Sequence, residues 1–196
     1  MNSLILEQEY VYTTYNSIST QFDSSRFCMW PEVTKFLNLV KSGSLIADIG
    51  CGNGKYLDYR VNDCTIFACD ISEELLKISK LKRNPKINYT QGSVLNLPYR
   101  DNLFDAIIHI AVLHHISTKE RRIIAIKELI RCCCIGGRIC ITVWADEQIK
   151  KEILEGAPED VFAPEIDLLA YDKTEIDSVT FDIRRKYDSL LREFGW

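Results

Sequence analysis

A short apolar run, Leu45-Ile46-Ala47-Asp48-Ile49, passes straight into Gly50-Cys51-Gly52-Asn53-Gly54-Lys55-Tyr56, so an acid is followed by three glycines at alternate positions. The run is too short for a helix and is punctuated at once by glycine, which reads as a buried strand ending in a sharp turn. Glycine permits both the turn and the close approach of a ligand, because it has no Cβ. A second apolar run, Ile66-Phe67-Ala68-Cys69-Asp70, also ends in an acid, and Asp70 lies 22 residues beyond Asp48. A glycine loop after one strand, with an acid closing the next strand about 20 residues on, is the spacing that grips a nucleoside; the second acid takes the ribose hydroxyls.

The form of the loop narrows the nucleoside. Its glycines run G-x-G-x-G, and Lys55 and Tyr56 occupy the next two places. The dinucleotide pattern G-x-G-x-x-G uses its third glycine to pack a helix whose N-terminus faces a pyrophosphate, so a pyrophosphate ligand is disfavoured here. A P-loop is excluded as well, since Tyr56 follows Gly54-Lys55 where that motif needs a Ser or Thr for magnesium.

Around this core the chain alternates between helix and strand patterns. Glu7 to Phe22 carries Val11, Tyr15, Ile18 and Phe22 at helical spacing, either as a stripe packed on the domain or as a flap over the ligand mouth. Asp23 to Phe27 is a polar loop, and Met29-Trp30-Pro31 opens a second helix with proline in its first turn. Ser42-Gly43 closes that helix. Ser72 is a candidate N-cap for a helix from Glu73 to about Leu81, and Ile87 to Thr90 reads as a third strand. Phe104 to Ile110 is a fourth strand, apolar on both faces as parallel strands are. After the loop Ala111 to Ile116, Ser117-Thr118-Lys119-Glu120 reads as a capping box starting a helix to about Cys133. Gly136-Gly137 then turns the chain into a fifth strand, Arg138 to Trp144. Beyond Asp146 the pattern blurs, with a helix expected from Phe181 to Phe194. The expectation is an α/β, Rossmann-like, doubly wound and mostly parallel sheet with its ligand at the carboxyl ends of the strands. One domain, 1–196, would comprise N-terminal helices (1–44), a binding core (45–145) and a C-terminal substrate or partner region (146–196).

Bulk properties fit a globular domain: 46% apolar and 27% charged residues, with a net charge of −4 that does not by itself advertise nucleic-acid binding. Three of the eight cysteines are adjacent (Cys132, Cys133, Cys134) and no C-x-x-C occurs, so neither a disulfide framework nor zinc-ligand spacing is indicated. Reduced thiols in the cytoplasm or nucleus are expected. No run of 18 apolar residues appears, so no membrane association is expected and no metal site is assigned.

The D-x-G-x-G-x-G stretch resembles motif I of the class I S-adenosylmethionine-dependent methyltransferases. More specific blocks resemble one subfamily, the eukaryotic tRNA wobble-uridine methyltransferases, which esterify 5-carboxymethyluridine. These blocks are Arg26-Phe27-x-x-Trp30-Pro31, Leu95-Asn96-Leu97-Pro98, Ile110-Ala111-Val112-x-His114-His115-x-Ser117-Thr118-x-Glu120-Arg121-Arg122 and Trp144-Ala145-x-Glu147-Gln148, within a likeness spanning about residues 7 to 163. The resemblance implies S-adenosylmethionine as cofactor, held by Asp48, Gly50, Cys51, Gly52, Asn53, Gly54, Asp70, Ile71, Ser93, Val94 and Ala111. Ser93 stands where many class I enzymes carry an acid for the adenine amino group.

It further implies tRNA as substrate and a small zinc-binding activator subunit as partner in a heterodimer, covering an exposed apolar edge of this chain. Arg26 would orient the acceptor carboxylate, and His114 would contact substrate or cofactor. Trp30 and Trp144 stand either in the core or stacked on a flipped base. His115 is placed beside the substrate or in a structural pair, and Lys119, Arg121 and Arg122, with Arg184, Arg185 and Lys186, either meet phosphates or form a solvated face. A carboxylate near pKa 4 is already ionised at neutral pH, so methylating it needs positioning rather than a general base. The family's closing hairpin of a sixth and an antiparallel seventh strand is not expected before Trp196, through truncation or a short sheet. A small-molecule O-methyltransferase and a non-catalytic RNA- or partner-binding subunit are the competing readings.

Overall fold

The computed structural model describes residues 13–17, 29–143 and 169–172. Helix α1 (Thr13–Ser17) is the described part of the expected first helix. Helix α2 spans Pro31–Asn38, with proline in its first turn and Val33, Phe36 and Leu37 buried. Gly43 follows at φ 84, a left-handed turn that glycine takes without strain.

The sheet is built from β1 (Leu45–Ile49), β2 (Thr65–Asp70), β3 (Asn88–Gln91), β4 (Phe104–Ile110), β5 (Cys133–Thr142) and β6 (Leu169–Asp172), in the order β3-β2-β1-β4-β5-β6. The first five are parallel, and β6 runs antiparallel to β5 with Ile141 opposite Leu169. Helix α3 (Glu73–Lys82) and helix α4 (Lys119–Cys132) complete the alternation.

One apolar layer joins Val33, Phe36 and Leu37 of α2 to Ile46, Ala68 and Ile108 of the sheet. The opposite layer joins Ala125, Leu129 and Cys132 of α4 to Ala47, Ile107 and Ile139. Strand β1 lies between β2 and β4, so chain order reverses across it. The carboxyl ends of β1 and β4 thus border the crevice where open α/β sheets take their ligands.

Three local features depart from the sequence expectation. The cap of α4 is Thr118, whose side chain accepts from the Arg121 amide, so the helix starts one residue later than a box built on Ser117 requires. Glu120 thereby loses the N3 position from which it would close that box. The pair Gly136-Gly137 does not precede β5 but lies within it, in a bulge where β5 advances from Cys133 to Arg138 while β4 advances from Phe104 to Ala106. Gly136 sits at φ 76, and a Cβ on Gly137 would lie 2.7 Å from Cys133 Sγ, so both glycines are required by the bulge rather than by a turn. A sixth strand in chain order, β6, pairs antiparallel with the edge of β5 over four residues, too short a run to stand out as a strand before its partner is known.

Candidate active site

The glycine loop is fixed by backbone bonds to the end of β2. The Cys69 carbonyl accepts from the amides of Gly50 (2.7 Å) and Cys51 (3.1 Å), and the Asp70 Oδ2 accepts from the Gly52 amide at 2.8 Å. Asp70 Oδ1 accepts from the Ser72 amide at 2.8 Å. Gly50, Gly52 and Gly54 all have positive φ (81, 53 and 78), which is why glycine recurs at alternate positions. A Cβ on Gly50 would stand 2.3 Å from Val112 Cγ2, so the loop after β1 and the loop after β4 are packed directly together.

Between these loops opens a cleft lined by Trp30, Asp48, Gly50, Cys51, Gly52, Asn53, Lys55, Tyr56, Ile110 and Ala111. Ala111 is held at φ 56, an uncommon conformation for a residue with a Cβ. Its amide donates to both the carbonyl and the hydroxyl of Thr142, which anchor the turn from the adjacent strand. Beneath the loop, the buried His109 imidazole donates from Nδ1 to the Ile49 carbonyl at 2.7 Å, and burial lowers its pKa to about 4, so it is neutral at physiological pH.

The two acids differ in their surroundings. Burial first, and the nearby Asp70 second, raise the Asp48 carboxyl to about 8. Asp48 is 3% exposed, lines the cleft and accepts no hydrogen bond among the described residues. Burial also raises Asp70, opposed by the backbone N–H groups that bind its carboxylate. A buried acid facing a cleft, next to a second acid, is the donor set for a cationic ligand. S-adenosylmethionine, which carries a sulfonium and an ammonium, fits it.

Of the expected cofactor residues, Asp48, Gly50, Cys51, Gly52, Asn53 and Ala111 come together in the cleft, and Asp70 joins them through Gly52. Gly54 does not line it: a Cβ there would meet Ser79 Oγ at 2.2 Å, so its work is to seat the loop on α3. Ile71 and Ser93 lie past the ends of β2 and β3, Ile71 exposed and Ser93 half-buried. The Ser93 hydroxyl accepts from the Leu95 amide at 3.2 Å. Val94 packs on the α4-side core, away from the cleft lining. The segment after β3 is clamped to α4, with Leu97 N–H donating to Glu128 and Arg131 donating to the carbonyls of Leu97 and Tyr99.

The expected acceptor residues divide. Trp30 lines the cleft, whereas Arg26 and Trp144 lie outside the described residues. His114 and His115 form a single 3-10 turn with rings 4.2 Å apart, beside the cleft lining rather than within it. Lys119 is exposed and Arg121 half-buried at the start of α4. Arg122 is a correction: it is 5% exposed and its Nη1 donates to the Ile116 carbonyl at 2.7 Å. It straps down the loop after β4 and is not a surface phosphate contact. Among the described residues the large apolar side chains left exposed are Met29, Leu39, Ile71, Leu81, Ile124 and Ile135. Sequence reasoning missed Lys55, Tyr56 and Ile110 as cleft residues. The signal was there for the first two, which directly follow the third glycine.

Residues 47–141 match the methyltransferase domain family described as "Methyltransferase domain". The chain is 46% identical over 149 residues to the tRNA (carboxymethyluridine(34)-5-O)-methyltransferase of Arabidopsis thaliana, covering 76% of this chain and 36% of that protein. It is 41% identical over 160 residues to the protein of the same name from Saccharomyces cerevisiae, covering 81% of this chain and 57% of that protein. It therefore spans well under two thirds of either relative. In fold it resembles a chain of the complex between the Haloferax volcanii Trm112 methyltransferase activator and a methyltransferase, with a TM-score of 0.60, 17% identity, and coverage of 90% of this chain and 75% of that one. A glycine loop between two strand-end acids, set at the reversal point of a parallel sheet, and the family match lead to one conclusion: residues 47–141 are a methyltransferase domain of the class I fold, in a chain similar in sequence to eukaryotic tRNA carboxymethyluridine methyltransferases.

Proposed function

We propose that this protein is an S-adenosylmethionine-dependent methyltransferase that esterifies the carboxylate of 5-carboxymethyluridine at the tRNA wobble position, in partnership with a small zinc-binding activator subunit. The observation that carries the reading is the cleft itself, in which a buried acid with no hydrogen bond among the described residues, a backbone cradle and a half-buried tryptophan converge at the carboxyl ends of β1 and β4. The names of the Arabidopsis and yeast relatives support the acceptor, and the Haloferax complex supports the activator.

Bound S-adenosylmethionine would supply an electrophilic methyl group on a positively charged sulfur. Asp48 would receive its ammonium, the Gly50–Gly52 turn would border its methionine end, and Asp70 would take the ribose hydroxyls while holding the Gly52 amide. The acceptor carboxylate is ionised at neutral pH, so no residue need remove a proton. That agrees with His109 serving the backbone rather than the cleft. Trp30 would stack on the extruded base, with Arg26, His114 and Trp144 completing the acceptor side and Lys119 and Arg121 meeting phosphates. The reaction would proceed in the cytoplasm or nucleus.

The test is methyl transfer from labelled S-adenosylmethionine to tRNA bearing 5-carboxymethyluridine, with and without the activator. Label on the wobble nucleoside, released by mild alkali as an ester is, supports the reading. Retained cofactor binding without label on that nucleoside overturns the acceptor.

A further inference from the structure

The cleft contains one more charged group to which the reaction, as outlined, gives no task. Lys55 is the only cationic residue among the described residues that line it. Its Nζ stands 4.8 Å from the centroid of the Trp30 ring and 5.4 Å from that of Tyr56, within the range where an aromatic face attracts an ammonium. The two rings are themselves fastened together. Tyr56 is buried, and its hydroxyl accepts the Trp30 amide at 3.2 Å, a donor left over at the start of α2. The backbone of Lys55 is set by the preceding Gly54, whose left-handed conformation seats the loop against Ser79. A flexible side chain is thus held at both ends, with its charge directed along the same aromatic wall that a flat base would use.

We propose that Lys55, held against Trp30 and Tyr56, is the charge that reads the acceptor's carboxylate. The proposal rests on the acceptor reading given above. On that reading Asp48 meets the cofactor's ammonium and Asp70 its ribose, so neither attracts an acceptor carboxylate, which needs a cation of its own on the cleft wall. Lys55 supplies that cation from the wall. An ammonium is a point donor, able to hold one carboxylate oxygen and leave the other exposed for reaction. Esterification removes the acceptor's negative charge, so the contact that favours the substrate is lost in the product, which favours release. Aromatic wall and cation together define a class of ligand: a planar base bearing a short anionic arm.

A carboxylate could also come from the methionine end of the cofactor, and the experiment separates the two sources. Wild-type, Lys55→Gln and Lys55→Arg chains are compared with the activator present. Binding is measured to S-adenosylhomocysteine and to two tRNAs, one bearing 5-carboxymethyluridine and one bearing its neutral carbamoylmethyl isostere. The wild-type chain is expected to prefer the carboxylate tRNA by about tenfold, the scale of one charge-assisted hydrogen bond. Lys55→Gln should bring the two tRNAs to near parity and leave S-adenosylhomocysteine binding unchanged, while Lys55→Arg retains the preference. If Lys55→Gln keeps the preference, Lys55 does not read the acceptor, although the acceptor reading survives. If it keeps the preference and weakens S-adenosylhomocysteine, the carboxylate served is the cofactor's, and the proposal is overturned. A wild-type chain without any preference removes the acceptor reading and this assignment with it.

Discussion

Asp48 and Asp70 close neighbouring parallel strands and are both buried, yet they are used differently. Asp70 spends its carboxylate on the fold, with Gly52 and Ser72 each donating an amide at 2.8 Å. Asp48, opposite Ala68 in the register, has burial and a neighbouring acid to contend with and no hydrogen bond among the described residues to offset them. The difference teaches that one acid assembles the loop, while the other bears its burial on the cleft wall without a compensating hydrogen bond among the described residues. A buried charge without a partner is normally removed or neutralised. Where it faces a cleft, the ligand is the partner.

The largest effect is expected from breaking the acid that is already committed. Asp70→Ala leaves the Gly52 and Ser72 amides without their acceptor and, on the function proposed above, removes the ribose contact. Affinity for S-adenosylhomocysteine should fall about a hundredfold or more and the unfolding free energy by about 2–4 kcal/mol, the scale of lost partners to buried groups. Calorimetry and urea unfolding read the two separately. Unchanged affinity would mean that the loop is held without Asp70.

Asp48→Asn should do the opposite to the empty protein. The folded Asp48 carboxyl stands at about 8 against an ordinary 3.8, so the folded chain keeps a proton that the unfolded chain has released. Stability is therefore undiminished below about pH 4 and is lost as pH climbs toward 8. The asparagine variant lacks this loss and should be more stable than wild type at pH 8 to 9 by roughly 3 kcal/mol, the scale of an uncompensated buried charge. It should bind S-adenosylmethionine at least about tenfold more weakly, a loss of about 1.4 kcal/mol. In wild type, cofactor affinity should rise with pH toward 8 with proton release, and both dependences should vanish in the variant. If the variant is less stable than wild type at pH 8 to 9, Asp48 has a structural partner after all.

His109 provides the contrary slope under the same loop. Its folded pKa of about 4 lies below the ordinary 6.5, so the stability it contributes is present above 6.5 and is lost as pH falls toward 4. Between pH 4 and 6.5 the two groups oppose each other, and above that only Asp48 acts. Replacing His109 by Asn, which can still donate to the Ile49 carbonyl, should flatten the acid limb by about 2–3 kcal/mol. The acid unfolding midpoint checks this, and an unmoved limb would mean that the imidazole is protonated in the fold.

Much of this was legible in the chain. Strand β4 was expected at Phe104 to Ile110 and is found there, because an unbroken apolar run leaves the register no alternative. The Ser72 cap is also where it was expected, fixed by the local chemistry of a side chain that accepts from the Leu75 amide. The features that escaped depend on distant partners. Whether Ser117 or Thr118 caps α4 depends on how the loop after β4 is strapped, and Arg122 does that from inside. The bulge at Gly136-Gly137 is set by the close approach of Asp105, and β6 by the open edge of β5. In the site, the spacing of Asp48, the glycines and Asp70 located the cleft lining formed by Asp48, Gly50 and Gly52, with Asp70 held to Gly52. Lys55 and Tyr56 went unassigned because their placement depends on the amide of Trp30, 26 residues away along the chain from Tyr56.

The smallest expected effect lies at the far end of the same cradle. Ser93 follows β3, where a stronger acceptor for an adenine amino group is common in this fold. Here its hydroxyl oxygen already accepts the Leu95 amide at 3.2 Å and offers what capacity remains. An aspartate at this position can accept that amide with one oxygen, in the local turn that Asp and Asn side chains favour, and keep the second for the adenine. Ser93→Asp should therefore tighten S-adenosylhomocysteine about three- to tenfold, on the scale of a hydrogen bond to a charged group, with little change in stability. Inosine-containing S-inosylhomocysteine, which lacks the amino group, should show no such gain. Equal tightening of both ligands would place the effect in the loop rather than at the adenine. It would also weaken the contrast with which the two strand-end acids began, by giving a third acid the work of organising the cradle.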